Sequence, residues 1–362
     1  MGNDLNQNSR DDLVVGLDAG GTRTRALCAS AADGRPALGE GAGGPGNALT
    51  VPAARLVEHL TEAIGAAVPA EARGRVVAVA GGFAGATGAS PDDPGYVRAR
   101  AGLTAALERL GIPAGPVAVC SDIEAAFAAA PGAPADGLAL VAGTGAVAMR
   151  ITGRRATTTV DGDGWLLGDD GSGFWIGRSA VRAALRMADG RGPATRLAES
   201  VGRAFGVPEA VLPRTGLLSY GTGDPEAPDD GVSSYGIQAG PGWSPAHRED
   251  YRRHLLPAVM ADPPIRLARL APLVVEAAGE KDAVAMAVLD DAADQLVDAV
   301  RALKPRPGEP LVATGGLLGP GGPLTAPLTT RLHPLGLTLD WVADGCRGAV
   351  ALARLAHGGT GR

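Results

Sequence analysis

The chain has 362 residues, of which 45% are apolar and 20% charged, with a formal net charge of −6. That length and apolar share exclude a chain disordered throughout, and arginines scattered over an acidic background leave no electrostatic footprint for nucleic acid. Glycine (55) and proline (28) are abundant but follow no three-residue period, which excludes a collagen-like rod.

Taken in order, the run 13–17 (LVVGL), the turn Ala19-Gly20-Gly21 and the run Thr24 to Ala29 predict a β-hairpin. Leu56, Leu60, Ile64 and Val68 stand at helical spacing and predict a helix over 51–68. A strand at 75–80, a helix near 95–110, a strand at 116–120 and a helix near 122–130 follow, and this alternation signals α/β architecture. The segment 131–137 (PGAPADG) reads as a linker, after which the pattern restarts: 138–151 again reads as strand, glycine turn, strand. A duplicated α/β unit is the economical reading, with lobes at 1–135 and 136–362 and a last helix free to return to the first lobe. Helices are expected near 173–188, 193–205, 264–278, 282–303 and 341–356, and a strand at 311–315. The stretch 213–248 is long for an ordinary connection. Tyr220, Tyr235, Trp243 and Tyr251 fall in or beside it, fitting either a lid, a subunit contact, or aromatics that pin a loop to the surface.

Cys28, Cys120 and Cys346 are odd in number and far apart, and the five histidines have no metal spacing, so neither a disulfide framework nor a metal centre is expected from them. The polar, acidic first residues do not read as a secretory signal, and no uninterrupted apolar stretch is long enough to span a bilayer. A cytoplasmic protein is the expectation.

Glycine-rich turns beside strands let several backbone N–H groups approach one anion. A Walker loop requires a lysine at the phosphates, and the only lysines, Lys281 and Lys304, lie far from any glycine turn. A formal GxGxxG at 41–46 places Pro45 where a dinucleotide fold starts its helix. What remains is a lysine-free site assembled from three turns: Asp18-Ala19-Gly20-Gly21-Thr22-Arg23-Thr24, Gly143-Thr144-Gly145 and Thr314-Gly315-Gly316. Each alone is equally well a structural turn.

In this order and spacing the three turns resemble the actin-like ATPase and sugar-kinase superfamily, in its N-acetylglucosamine kinase branch grouped with the BadF/BadG/BcrA/BcrD-type ATPases. The segment 164–181 (GWLLGDDGSGFWIGRSAV) is similar to that family's GDEGSxxWI signature, with Asp170 in place of Glu. The resemblance runs from about 13 to about 355. It implies a two-lobed α/β fold of the ribonuclease H-like kind with duplicated domains and an interlobe cleft. It further implies ATP and Mg²⁺ as cofactors, a small amino sugar as substrate, phosphorylation of its 6-hydroxyl, and a homodimer. On it, the first two turns wrap the phosphates, with Gly20, Gly21, Thr22, Thr144 and Gly145 as contacts and Arg23 as either a contact or a solvated strand residue. Gly315 and Gly316 pack near the adenosine.

Asp122 follows a strand at the head of a helix, where Ser121 and Glu124 have capping-box spacing. A carboxylate at that place can also take the proton from an attacking hydroxyl, and the resemblance makes Asp122 the catalytic base. Asp18 suits either turn initiation or Mg²⁺ held through water. The resemblance assigns Asp169, Gly162, Gly164 and Asn47 to the sugar. Where the family commonly has Trp between the two glycines this chain has Asp163, with Trp165 two places on, which alters the sugar pocket. Two alternatives stay open: a glucosamine or other hexose kinase of the same fold, and an ATPase that activates a partner enzyme. The latter requires closely spaced cysteines for an iron–sulfur cluster. A sugar-responsive repressor would need a DNA-binding module that the residues before the first strand are too few to form.

Overall fold

The computed structural model describes residues 12–32, 36–87, 92–213 and 243–359. The first hairpin is β1 (Leu13–Ala19) and β2 (Thr24–Ser30), paired antiparallel so that Asp18 lies opposite Arg25. A third strand, β3 (Gly39–Gly43), continues the meander where the sequence shows only a glycine run. It forms because Gly39, Gly41 and Gly43 leave room for the backbone of helix α1 (Ala53–Ala67) to lie directly on the strand.

Strands β4 (Val76–Phe83) and β5 (Val117–Ser121) add in parallel, separated by α2 (Pro94–Leu110), and α3 (Asp122–Ala128) follows β5 at once. The first sheet has the order β3-β2-β1-β4-β5.

The second unit repeats this connectivity strand for strand. The strands β6 (Gly137–Ala142), β7 (Ala146–Thr152) and β8 (Arg155–Asp161) form the meander. After α4 (Gly173–Ala188), α5 (Leu197–Ala204), α6 (Pro245–Ala261), α7 (Ala271–Gly279) and α8 (Ala283–Ala302) come the parallel strand β9 (Leu311–Thr314), α9 (Thr325–Leu332) and β10 (Leu339–Trp341). The sheet order is β10-β9-β6-β7-β8. The chain closes with α10 (Cys346–Gly359), five residues later than the helix expected from 341 because β10 occupies that start. The helix expected over 264–278 is divided into a 3₁₀ segment, Pro264–Leu270, and α7. The expected irregular stretch 213–248 lies mostly outside the described residues, but its end already belongs to α6, where Ser244 caps the helix on His247 N–H (3.2 Å).

Each sheet is covered on both faces. α1 and α2 pack one face of the first sheet through Leu56, Leu60, Ile64 and Leu103. The other face is covered by α10, through Ala349, Val350 and Ala353. α4 and α8 bury the outer face of the second sheet. Its inner face receives α3, whose Phe127 packs against Ala139, Ile151 and Val312. Each lobe is thus closed by a helix that follows the last strand of the other.

Candidate active site

In both sheets the parallel strands end on the same edge, and open α/β sheets bind ligands outside the carboxyl ends of their strands. β1 ends at Asp18 and the Gly20 turn, β5 at Asp122, β6 at the Gly143 turn and β9 at the Gly315 turn.

Asp122 is the first residue of α3. Ser121 caps the helix, its hydroxyl accepting from Glu124 N–H (3.1 Å), while the Glu124 carboxylate accepts from Ser121 N–H (2.9 Å). The capping box satisfies the helix start without Asp122, whose Oδ1 takes only its neighbour's Ile123 N–H (3.0 Å). The helix cap is therefore made by Ser121 and Glu124, and Asp122 is left out of it. Burial first, and the charge of Asp18 second, push the Asp122 carboxyl up to about 6. A carboxylate so placed is ionised at neutral pH yet basic enough to share a proton with an alcohol.

Asp18 is also raised from the ordinary carboxylate range, chiefly by burial. Its Oδ2 accepts from Gly345 N–H (3.3 Å) and lies 3.8 Å from the Arg25 guanidinium, which itself pairs with Asp344 (3.2 Å). Asp344 caps the start of α10, its Oδ1 accepting from Cys346 N–H (3.0 Å). Asp344 lies between β10 and α10 as Asp122 lies where β5 passes into α3, although Asp344 caps its helix and Asp122 does not. Sequence reasoning missed Arg25, Asp344 and Gly345, and the spacing of the duplicated unit was the available signal.

The first turn is closed by Gly20 N–H donating to the Arg23 carbonyl (3.0 Å), and Gly46 N–H donates to the Gly20 carbonyl (2.9 Å). Gly21, Thr22 and Arg23 are exposed at its tip. Arg23 lines a cavity of about 780 Å³ with Arg25, Glu40, Trp341 and Arg347, to one side of the turn.

The second and third turns touch each other. Gly315 has a φ of +105°, and a Cβ on it would come within 2.2 Å of the Ala142 carbonyl, which also accepts from Leu317 N–H (3.2 Å). The start of α4 clasps the second turn from below: Gly173 N–H donates to the Gly143 carbonyl (2.8 Å) and Phe174 N–H to that of Thr144 (3.1 Å). Gly316 and Thr144 face open space and solvent respectively.

Asp169 sits with φ +58° beside this turn, where its Oδ1 accepts from Ala146 N–H (3.0 Å) and presses on Gly145. It is 8% exposed, and burial raises its carboxyl. The loop that carries it is organised by Asp161, which the sequence analysis passed over. Asp161 Oδ1 accepts from Asp169 N–H (2.7 Å) and Gly162 N–H (2.6 Å), and Oδ2 accepts from Asp170 N–H (2.8 Å). This carboxylate pulls the loop 162–170 into a closed bend. Gly162 and Gly164 take left-handed φ values there, Asp163 is exposed, and the tip Leu166-Leu167 stands 70% and 80% exposed. Asn47 initiates a turn: its Oδ1 accepts from Leu49 (2.9 Å) and Thr50 (3.1 Å) N–H groups. Only its amide NH₂ remains to face a ligand.

Among the described residues no three His, Cys, Asp or Glu side chains gather into a metal-binding group. The donors at hand are the two carboxylates of Asp18 and Asp122, each raised chiefly by burial, with Asp344 adding to the shift of Asp18 and Asp18 to that of Asp122. That set fits Mg²⁺, which takes one or two protein carboxylates and completes its shell with water and phosphate oxygens. All three cysteines are buried, and burial raises each thiol. None is presented as a ligand for an iron–sulfur cluster.

Two lobes of equal strand order, a helix exchanged in each direction and glycine turns at the strand ends define a two-lobed actin-like fold. The chain belongs to the BadF/BadG/BcrA/BcrD ATPase family, whose pattern matches residues 15–322, and ATP is the nucleotide that family implies. Its fold is similar to that of a Chromobacterium violaceum protein provisionally described as an N-acetylglucosamine kinase. The TM-score is 0.63 at 22% identity, over 94% of this chain and 99% of that one. A Porphyromonas gingivalis protein with the same description gives a TM-score of 0.61 at 18% identity, over 96% and 99% of the two chains. No curated protein sequence matches. Among the described residues, no helix is long and apolar enough to cross a membrane.

Proposed function

We propose that the protein transfers the γ-phosphoryl group of ATP to the 6-hydroxyl of an amino sugar, with N-acetylglucosamine the favoured acceptor. The observation that carries this reading is Asp122: a carboxylate at a strand end, spared from capping duty, with its pKa pushed up to about 6 beside a second carboxylate. In this role Asp122 accepts the proton of the sugar hydroxyl as oxygen attacks phosphorus. The amides of Gly21 and Thr22 and those of Thr144 and Gly145 are offered to the phosphates. Gly20 and Gly143, whose own N–H groups close the turns on the Arg23 and Gly145 carbonyls, shape them, and Arg23 and the Thr144 hydroxyl lie at the two turn tips. Gly315 and Gly316 bring the backbone close to the adenosine. Asp18 would hold Mg²⁺ through water, and the ion supplies charge neutralisation on the phosphates.

The acceptor is placed on the side of Asp122 and β8, where Asp169 and the loop Gly162-Asp163-Gly164 offer carboxylates and open backbone, and where the Asn47 amide offers a donor. The amino-sugar preference is supported by the signature-like segment 164–181 and by the description of the two similar structures. Asp163, in place of the Trp common in relatives, leaves the pocket rim more polar.

The test is ADP release with ATP, Mg²⁺ and each of N-acetylglucosamine, glucosamine, N-acetylmannosamine and glucose. N-acetylglucosamine should give the largest kcat/KM, and Asp122→Asn should lower kcat by about 10²–10⁴-fold, the range of general-base contributions. Release that no sugar raises above the basal rate overturns the kinase reading. Near wild-type turnover in Asp122→Asn overturns the base assignment alone.

A further inference from the structure

One face of α4 carries a row of arginines that the proposed reaction does not use. Arg178, Arg182 and Arg186 recur every four residues and so share one face of the helix. With Trp175 on the same helix, and Val284, Ala287 and Asp291 of α8, they line a cavity of about 610 Å³. That volume is in the range of small-molecule sites.

The charge in this cavity is unbalanced. Several arginines elsewhere pair with acids: Arg331 with Asp290 and Asp294, Arg203 with Glu199 and Glu209, Arg252 with Asp189. Among the described residues none of the three cavity arginines has a carboxylate partner. Arg186 donates only to the Arg191 carbonyl (3.0 Å). The Arg178 guanidinium lies over the Phe174 ring, 5.6 Å from its centroid, and its Nε is buried without a hydrogen-bond partner. A buried donor left unpaired is costly, and three like charges on one face repel. In a protein of net charge −6, such a row is retained at a cost that an anionic ligand would offset.

We propose that the cavity between α4 and α8 binds a small phosphate monoester. Three guanidiniums against the single carboxylate of Asp291 leave a surplus of about two positive charges, matching a phosphate monoester near neutral pH. Guanidinium forks suit phosphate oxygens, and the Trp175 indole with Val284, Ala287 and Val288 gives the ester's carbon skeleton an apolar wall. The site shares no residue with the Asp18 and Asp122 cluster or with the glycine turns. On the other side of α4, Gly177 packs against the Leu267 carbonyl, so the helix body separates the cavity from that packing face.

The test uses the full chain and calorimetric titration with inorganic phosphate, N-acetylglucosamine 6-phosphate and ADP in turn, with hydrogen exchange to locate the bound probe. The sugar phosphate should bind with one site per chain outside the cleft and slow exchange in 175–186 and 283–291. Stronger binding of inorganic phosphate or of ADP than of the sugar phosphate would overturn the monoester assignment. Arg182→Glu, an exposed position, should weaken binding at least tenfold, and Ala287→Trp should block it without changing charge. Asp122→Asn should leave it unchanged, so the inference stands or falls apart from the kinase reading. Absence of saturable binding by all three probes, or protection confined to the glycine turns, or affinity unaltered by both Arg182→Glu and Ala287→Trp, would overturn it.

Discussion

At the scale of single residues, Asp122 sets a trade of stability for chemistry that can be measured. Unfolded, its carboxyl ionises near 3.8; folded, burial and the charge of Asp18 hold the proton to about pH 6. Between these values the native state binds more protons than the unfolded one, so ionisation works against folding as pH rises through that window, and the full penalty remains above it. Asp122→Asn removes the penalty. Urea unfolding should find this variant more stable than wild type by up to about 3 kcal/mol at pH 7–8, with the difference shrinking below about 1 kcal/mol near pH 4 and vanishing below it. The wild-type kcat/KM should fall below about pH 6, where the protonated acid no longer serves as base. A variant that is both less active and no more stable at neutral pH would show that the carboxyl is not strained by its site. Asp161 works in the opposite sense: by accepting three backbone N–H groups it turns an otherwise open glycine loop into a shaped one, which nothing in the sequence pattern signalled.

At the scale of elements, the decisive contact is the crossing of α3 and α10. Gly348 of α10 lies so close to α3 that a Cβ there would fall 1.8 Å from the Ala125 carbonyl, a main-chain atom that cannot swing aside. Gly348→Ala should therefore cost about 3 kcal/mol or more in chemical denaturation, above the usual range for overpacking because backbone must move. Activity should fall with it, since the start of α10 holds Asp344 and Gly345 against Arg25 and Asp18. Gly358 of the same helix faces open space, and Gly358→Ala should be neutral or gain up to about 1 kcal/mol. Equal effects of the two substitutions would mean that the crossing does not position the site. Residue spacing had announced both helices but not their contact: the small-residue run 345–353 reads as an ordinary alanine-rich helix until the partner backbone is seen.

At the scale of the whole molecule, the lobes are tied on both sides of the exchanged helices. On one side Glu124, 2% exposed, takes Ala156 N–H of β8 on Oε1 (2.9 Å), with Arg155 3.5 Å from Oε2. On the other, Arg25 reaches Asp344. Glu124→Ala leaves the N–H groups of Ser121 and Ala156 without their carboxylate and should cost about 3 kcal/mol. It should also enlarge the radius of gyration in solution scattering, because the tie joins the last strand of one sheet to the meander edge of the other. An unchanged radius would show that the hydrophobic contact of Phe127 alone fixes the lobes. Lobe closure on ATP and sugar, the expected route to excluding water, should shrink the wild-type radius and do so less in this variant.

The sequence by itself determined the duplicated strand and helix pattern, the three glycine turns, the capping-box spacing of Ser121 and Glu124, and the family, because these depend on local spacing and on residue types that only certain turns accept. The tertiary structure decided the rest. β3 and β10 are too short or too glycine-rich to announce themselves and exist through their pairing; Arg25 and Asp344 meet across 319 residues; and the unpaired arginine row on α4 becomes a cavity only when α8 lies beside it. Long-range contacts of this kind carry no periodicity, since the two partners are brought together by the packing of whole layers and not by their distance along the chain.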